Sequence, residues 1–325
     1  MDGKETASRE GRPSPPGDLR VRDQCVYFHS SEEMPELLPG SVDVIVTSPP
    51  YNRGKRYHPS YDDHRPETEY LAFLERVFRE CHRVLSPTGV FFLNVGDGAE
   101  DQGKSERVCR VAEAAGFRRR QTLIWVKSLL GKGHFTPSGR GRSFANVFEY
   151  VFLLVKGPGY RLDPKAVGIP YADKSNVGRY SPVDRRDAGN VWFIPYEETT
   201  GATRKKGHEA PFPVGLPHRA IRCVPGASLV LDPFAGTGAT LSAADALGIR
   251  GVGYEPYPDP ALIQRRIDTP YVPREEILIP DLEKSVRFLA ARAGPLPFPE
   301  GPGSSQRKRE RWRVVRDVIQ RLGGD

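Results

Sequence analysis

The stretch ASLVLDPFAGTGATLSAADALGIRGVGYEP, residues 227–256, restricts the fold of this chain more than any other. A short apolar run ends at Asp232, a turn holds Gly236 and Gly238, a helical pattern follows over 238–247, and Gly248 leads into a second apolar run that stops at Glu255. Strand, glycine turn, helix and strand in that order belong to an α/β fold with a parallel sheet. Glycines in the turn let the backbone approach a ligand closely, and the helix N-terminus offers unpaired N–H groups to an anion. Glu255 stands near the spacing of about 20 residues at which an acid binds ribose hydroxyls in dinucleotide folds. The unit points to a nucleoside ligand. It is not a P-loop, because no Gly-Lys-Ser/Thr follows, and it lacks the third glycine of the dinucleotide fingerprint.

The same rhythm runs through the first half. LRVRDQCVYF reads as a strand and its exit, SEEMPELL as a short helix, and 42–47 as a strand. From Glu67 to Leu85 the residues Tyr70, Phe73, Leu74, Val77, Phe78, Cys81 and Leu85 recur at helical spacing. SPTG ends that helix and VFFLNV follows as a buried strand; another helix fits Ser105 to Ala115, with Gly116 as its C-cap. QTLIWVK and NVFEYVFLLVK read as strands around a Gly- and Arg-rich loop. The expectation is an α/β, doubly wound, mostly parallel sheet, interrupted from 157 to about 210 by an irregular insertion.

The 325 residues are 38% hydrophobic and 27% charged, which fits a globular domain. No apolar run reaches the roughly 18 residues of a membrane span, and the first residues lack the apolar core of a signal peptide, so a cytoplasmic location without a membrane partner is expected. Cys25, Cys81, Cys109 and Cys223 form no CxxC pair, so neither a zinc site nor a disulfide framework is expected, and no metal. The net charge of +7 is gathered in clusters such as GFRRRQ, TRKKGH and QRKRERWR, which suit a phosphate backbone. Lys127, Lys132, Arg140 and Arg142 flank the Gly-rich loop and are the candidate phosphate contacts. Trp312, Val315, Ile319 and Leu322 form a helical stripe near the C-terminus, suited to docking on the chain's own core or on a second subunit.

A second motif, VDVIVTSPPYN at 42–52, ends a strand on Ser48, Pro49, Pro50, Tyr51 and Asn52. Together with DPFAGTG it resembles the S-adenosylmethionine-dependent amino-methylating DNA methyltransferases, which modify the exocyclic nitrogen of cytosine or adenine. The order, catalytic motif before cofactor motif, is similar to the circularly permuted β class. The resemblance covers roughly 18–270 and implies a seven-stranded Rossmann-like methyltransferase sheet. The implied organisation is an N-terminal tail at 1–17, a catalytic half at 18–156, a target-recognition insertion at 157–207, a cofactor half at 208–270 and a basic extension at 271–325. It also implies cofactor contacts from Asp23, Asp232, Pro233, Phe234, Gly236, Gly238 and Glu255, and from His208 and Phe212 beside the methionine moiety. Arg22 stands where the family often has glycine before the aspartate, and EPYPDPALIQRR carries prolines where the family usually starts a plain helix.

The resemblance, together with the chemistry of its atoms, implies what the tetrapeptide does. An exocyclic base amine is a poor nucleophile until acceptors hold its N–H groups and aim its lone pair at the methyl. Ser48 Oγ can accept one such bond and the Pro49 carbonyl the other, and the two prolines stiffen the backbone that presents them. Tyr51 can stack on a base extruded from the duplex, and Asn52 can touch substrate or form the turn. Ser rather than Asp at the first position resembles N4-cytosine enzymes. The expected activity is therefore site-specific N4-cytosine methylation of double-stranded DNA, by a monomer or homodimer, paired with a restriction endonuclease that forms no stable complex with it. N6-adenine methylation by the same geometry, an RNA or protein amine as acceptor, and a catalytically silent nucleic-acid-binding module remain the alternatives.

Overall fold

Val44, Ile45 and Val46 are all shielded from solvent although neighbouring side chains on a strand point to opposite faces. Such a strand needs cover on both sides, and the computed structural model supplies it. The structure describes residues 18–54, 63–98, 101–127, 144, 146–171, 173–180, 182–187, 189–195 and 213–272. The strands are β1 (Leu19–Val21), β2 (Gln24–Tyr27), β3 (Val42–Thr47), β4 (Leu85–Val95), β5 (Arg118–Val126), β6 (Phe148–Val155), β7 (Val191–Phe193), β8 (Leu229–Asp232) and β9 (Arg250–Tyr254). The helices are α1 (Glu67–Val84), α2 (Lys104–Ala114), α3 (Gly215–Arg222), α4 (Ala239–Ala246) and α5 (Pro260–Asp268). No helix among the described residues is long and apolar enough to cross a membrane.

The strands form one sheet in the order β1-β2-β9-β8-β3-β4-β6-β5-β7. The central run β2, β9, β8, β3 and β4 is parallel, whereas β1 and β6 pair antiparallel with their neighbours. On one face Ile45, Phe91 and Leu231 meet Phe73, Leu74, Val77 and Phe78 of α1 and Val108 and Ala112 of α2. On the other, Val44, Val46, Phe92 and Val230 meet Leu216, Ala220 and Ile221 of α3 and Ala239 and Ala243 of α4. The α4 helix is nearly all small or apolar because it lies between the sheet, α3 and α5, and its one charge, Asp245, sits in the last turn, paired with Arg22.

The sheet order also explains why two motifs so far apart in sequence act together. The β3–α1–β4 unit winds outward in one direction from the centre, and β8–α4–β9 winds outward in the other. The reversal falls between β3 and β8, which pair in parallel through Val44 with Val230 and Ile45 with Leu231. In open α/β sheets the crevice at the carboxyl ends of strands flanking such a switch point is where ligands bind. Ser48 follows β3 there, and Asp232 closes β8.

Several sequence expectations need correction. The sheet has nine strands, not seven, because β1 and the short β7 add to its edges. LRVRDQCVYF is a hairpin of β1 and β2, reversed at Arg22, whose φ of 52° lies in the left-handed region that favours glycine. SEEMPELL is a turn segment rather than a helix, since Arg83 of α1 satisfies the Met34 and Leu37 carbonyls while Glu80 accepts the Met34 N–H. SPTG does not end α1 but lies within β4, as an excursion between the Val42–Leu85 and Val44–Val90 pairs. The described part of the insertion, expected to be irregular, contributes one short strand: β7 pairs with β5, and Val167, Trp192 and Ile194 join the α3-side core.

Candidate active site

The loop after β3 is fixed almost entirely by groups from elsewhere in the chain. Thr47, the last residue of the strand, is inaccessible and donates its hydroxyl to Asp232 Oδ1, tying β3 to β8. Pro49 is buried and Ser48 half-buried. The Pro50 carbonyl accepts the Tyr70 hydroxyl at 2.8 Å, and the Tyr51 carbonyl accepts Lys104 Nζ at 3.0 Å. Lys104 itself is only 3% exposed and is balanced by Asp101 at 3.0 Å, so its ammonium acts as an internal strut. Beyond Tyr51 the chain turns at Asn52, with φ 52°, and Asp63 receives the turn: its carboxylate accepts the N–H groups of Asn52 and Arg53, and its carbonyl accepts that of Gly54. The Asn52 amide exchanges hydrogen bonds with the Arg65 backbone, each at 2.8 Å, which identifies it as the anchor of the turn.

Inside this loop the side chains form a chain of hydrogen bonds. Ser48 Oγ lies 3.0 Å from the Tyr51 hydroxyl, which donates to Glu149 Oε2 at 2.9 Å, and Lys127 Nζ donates to Glu149 Oε1 at 2.9 Å. Burial and the adjacent Glu149 charge push the Tyr51 phenol well above its ordinary range, so it stays a neutral O–H. Gly96 makes room for the carboxylate, since a Cβ there would stand 2.8 Å from Glu149 Cδ. Lys127, expected on the sequence as a phosphate contact, is instead the counter-ion of this carboxylate, with its side chain 19% exposed. The guanidinium of Arg53 lies 5.1 Å from the centroid of the Tyr51 ring.

The loop after β8 is built largely from its own backbone. Asp232 accepts Phe234 N–H, Ala235 donates to the Tyr254 carbonyl, and Gly238 donates to that of Ala235. Gly236 and Gly238 adopt φ of 51° and 84°, and a Cβ on Gly238 would also press on Ile263 at 3.1 Å. Glu255, one residue past β9, accepts Gly236 N–H at 2.9 Å and Tyr257 N–H at 3.0 Å, closing the turn. Phe234 sits edge-on to Phe73 of α1, with ring centroids 5.9 Å apart. Asp232 is 3% exposed, and burial pushes its carboxyl up to about 6; burial raises Glu255 as well. Their partners named above are a hydroxyl and backbone N–H groups, so neither carboxylate is neutralised by them.

Asp23 does not reach this crevice. Parallel pairing sets Gln24 beside Gly251 and Tyr27 beside Tyr254, so Asp23 precedes β2 at the amino ends of these strands, where its carbonyl accepts Gly251 N–H. That is about 13 Å of strand from the end where Glu255 stands. The residues that emerge beside Glu255 are Phe28, His29 and Ser30, and Glu255 N–H binds the Tyr27 carbonyl. His208, Phe212, Lys132, Arg140 and Arg142 lie outside the described residues. No sequence motif marks Glu149, Asp63 or Lys104 as part of the site, and Tyr70 is marked only as one of the apolar positions of α1. For Glu149 there is a signal: it is the one charge inside the apolar run FEYVFLLV.

A doubly wound sheet with an acid-lined glycine turn and a proline-stiffened polar loop at its switch point places the chain in the class of α/β proteins whose ligand crevice lies at that point. The DNA methylase family model matches residues 42–260, and this chain belongs to that family, whose methyl donor is S-adenosylmethionine. It is 32% identical over 228 residues to the Type II methyltransferase M.BglII of Bacillus subtilis, covering 64% of this chain and spanning 58% of that relative's length. A Thermus thermophilus protein described as a DNA modification methylase, solved in complex with S-adenosyl-L-methionine, is 26% identical with a TM-score of 0.50, over 75% of this chain and 94% of that one. The PvuII DNA methyltransferase, cytosine-N4-specific, has a TM-score of 0.58 at 23% identity, covering 78% and 89%, a likeness of fold alone.

Proposed function

We propose that this chain is a site-specific DNA methyltransferase that acts on the exocyclic N4 of a cytosine turned out of the duplex. The observation that carries this reading is the placement of Ser48 and Asp232 at the carboxyl ends of adjacent parallel strands, joined by Thr47. The crevice suits S-adenosylmethionine: a buried carboxylate and a half-buried one, bound by neutral donors, favour a cation, and Gly236 and Gly238 keep the turn free of side chains. Glu255 would hold the ribose hydroxyls, Asp232 the ammonium end, and Pro233 and Phe234 the apolar wall, with His208 and Phe212 beside the methionine moiety. When bound, that cofactor supplies an electrophilic methyl group on a cationic sulfur.

The protein's own part is to hold the amine. Ser48 Oγ and the Pro49 carbonyl accept its two N–H groups, and the tether of Pro50 and Tyr51 to Tyr70 and Lys104 keeps those acceptors in place before DNA arrives. Extrusion costs a few kcal/mol, which stacking on Tyr51 partly offsets. Lys132, Arg140 and Arg142 contact phosphates, and the 157–207 insertion reads the site. The pairing with a restriction endonuclease, and a monomeric or homodimeric state, belong to the same proposal.

Nucleoside mass spectrometry on DNA from a methylation-free host expressing the protein is the test. N4-methylcytosine that disappears in Ser48→Ala supports the reading. N6-methyladenine would retain the mechanism and overturn the choice of base; neither mark, in a protein that binds S-adenosylmethionine, would overturn DNA as the acceptor.

A further inference from the structure

Hydroxyls can face either way in a hydrogen bond, so the value of Ser48 as an acceptor depends on where its own proton points. The chain from Ser48 to Lys127 settles that direction. Lys127 Nζ can only donate, and an ionised carboxylate can only accept. The Tyr51 proton therefore goes to Glu149 Oε2, at 2.9 Å, which leaves the Tyr51 oxygen as acceptor for the Ser48 proton, at 3.0 Å. With its proton turned inward, Ser48 Oγ has its lone pairs for the pocket.

We propose that Glu149, anchored by Lys127, is a positioning residue that sets the direction of the Ser48–Tyr51 hydrogen bond and thereby makes the site select an amine over a carbonyl. This deepens the methyltransferase reading and rests on it. The relay spans a loop and two strands: Lys127 follows β5, Glu149 lies on the paired strand β6, and Lys127 N–H binds the Val147 carbonyl. Its geometry is thus fixed by the sheet rather than by the substrate. The same polarity discriminates against the oxo counterpart of the target base, whose oxygen would face Ser48 lone pairs without a proton between them.

Glu149→Gln reverses the logic while nearly conserving shape. Lys127 claims the amide oxygen, the amide N–H then points at the Tyr51 oxygen, and the Tyr51 proton turns to Ser48, whose own proton is driven toward the substrate. The expected result is a single-turnover methyl-transfer rate about 100-fold below wild type, the scale of losing one preorganised partner, at unchanged S-adenosylmethionine affinity. Lys127→Met alone leaves the relay direction intact but unanchors the carboxylate, so its loss of rate should be measurable and smaller than that of Glu149→Gln. The double variant Lys127→Met/Glu149→Gln frees the amide to turn its oxygen to Tyr51 and recovers about tenfold over Glu149→Gln. A merely structural role makes the double variant no better than the worse single one. A second measurement uses DNA whose target amine is replaced by oxygen: wild type should bind it more weakly than the normal target, and Glu149→Gln should narrow that ratio toward one.

A Glu149→Gln rate within twofold of wild type, or a double variant without recovery, overturns the proposal. Should Glu149→Gln fail to fold, Tyr51→Phe removes the same link while keeping the ring, and a wild-type rate there overturns it equally. Absence of methyl transfer by the wild type to any DNA overturns the methyltransferase reading and the relay with it; wild-type activity with the wrong order of variants overturns the relay alone.

Discussion

The two loops that meet at the switch point solve the same problem by opposite means. The loop after β8 holds itself: Asp232 caps Phe234 two residues on, and Glu255 ties Gly236 and Tyr257 from 19 and 2 residues away. The loop after β3 is held from outside, by Tyr70 at a separation of 20 residues, Lys104 at 53 and Glu149 at 98. A cofactor cradle can be local because backbone shape and two acids make most of it. An amine-holding pocket needs side chains aimed at one point from several directions, and only tertiary structure provides them. The two loops should therefore fail differently when cut.

The largest effect is expected where the outside support of the β3 loop converges. Asp63→Ala removes the acceptor of the Asn52 and Arg53 N–H groups. Two N–H groups then lose their partner and Tyr51 loses its footing, so the methyl-transfer rate at saturating S-adenosylmethionine should fall about 100-fold. Cofactor affinity by calorimetry should stay within about twofold, because no hydrogen bond of the β8 loop involves Asp63 among those described above. A matching loss of affinity would mean that the loops are one unit and would break the comparison.

Glu255→Ala is the converse cut. It removes the carboxylate that closes the glycine turn and the proposed holder of the ribose, and hydrogen bonds to a charged group are worth about 1.5–3 kcal/mol. Cofactor affinity should weaken by about 30-fold, while the rate once the site is saturated stays near wild type, read by single turnover over a range of cofactor concentrations. Gly238→Ala should act in the same direction and more weakly. The residue sits at φ 84° and its new methyl would press on Ile263, so about 1–2 kcal/mol is expected in both thermal stability and cofactor affinity.

The contrast between the loops also decides what is legible in the sequence alone. DPFAGTG with Glu255 can be read because its bonds, the Thr47 hydroxyl on Asp232 apart, lie within one strand–turn–helix–strand unit, where spacing and glycine position suffice. SPPYN can be read as a motif, but its supports cannot: nothing around Tyr70 or Lys104 announces a partner 20 or 53 positions away, and the lone charge of FEYVFLLV marks Glu149 without pointing to Tyr51, 98 positions away. Lys127 misleads for the same reason. A lysine beside a Gly- and Arg-rich loop resembles a phosphate contact until the β5–β6 pairing sets it against Glu149. Asp23 misleads through register: placing it needs the parallel alignment of β2 with β9, which no local pattern encodes. The helix expected at SEEMPELL does not form because Arg83, from α1, satisfies carbonyls that a helix would have bonded internally.

Asp232 offers the smallest effect and the finest test, because its charge serves the ligand at the expense of the fold. Burial raises its carboxyl to about 6 from an ordinary 3.8. A raised folded-state value means that protonation favours the native state: the associated stability is present below pH 3.8 and is lost as pH rises through about 6. By linkage that is about 3 kcal/mol given up at neutral pH in the ligand-free protein. Asp232→Asn removes the charge and leaves a carbonyl oxygen for the Thr47 hydroxyl and the Phe234 N–H. The ligand-free variant should be more stable than wild type at pH 8 by about 1–2 kcal/mol, a few degrees in melting temperature, once imperfect rebonding is allowed for. The advantage should shrink below pH 6 and vanish near pH 4, where wild-type Asp232 is protonated. His218 has the opposite sign: burial lowers it to about 4, so its contribution is lost as pH falls, and it offsets Asp232 in the wild type over the same window. The variant, deprived of that offset, should show the steeper acid loss. If Asp232→Asn is instead less stable at pH 8, the carboxylate is part of the scaffold that ties β8 to β3, and the β8 loop depends on charge as much as its neighbour does.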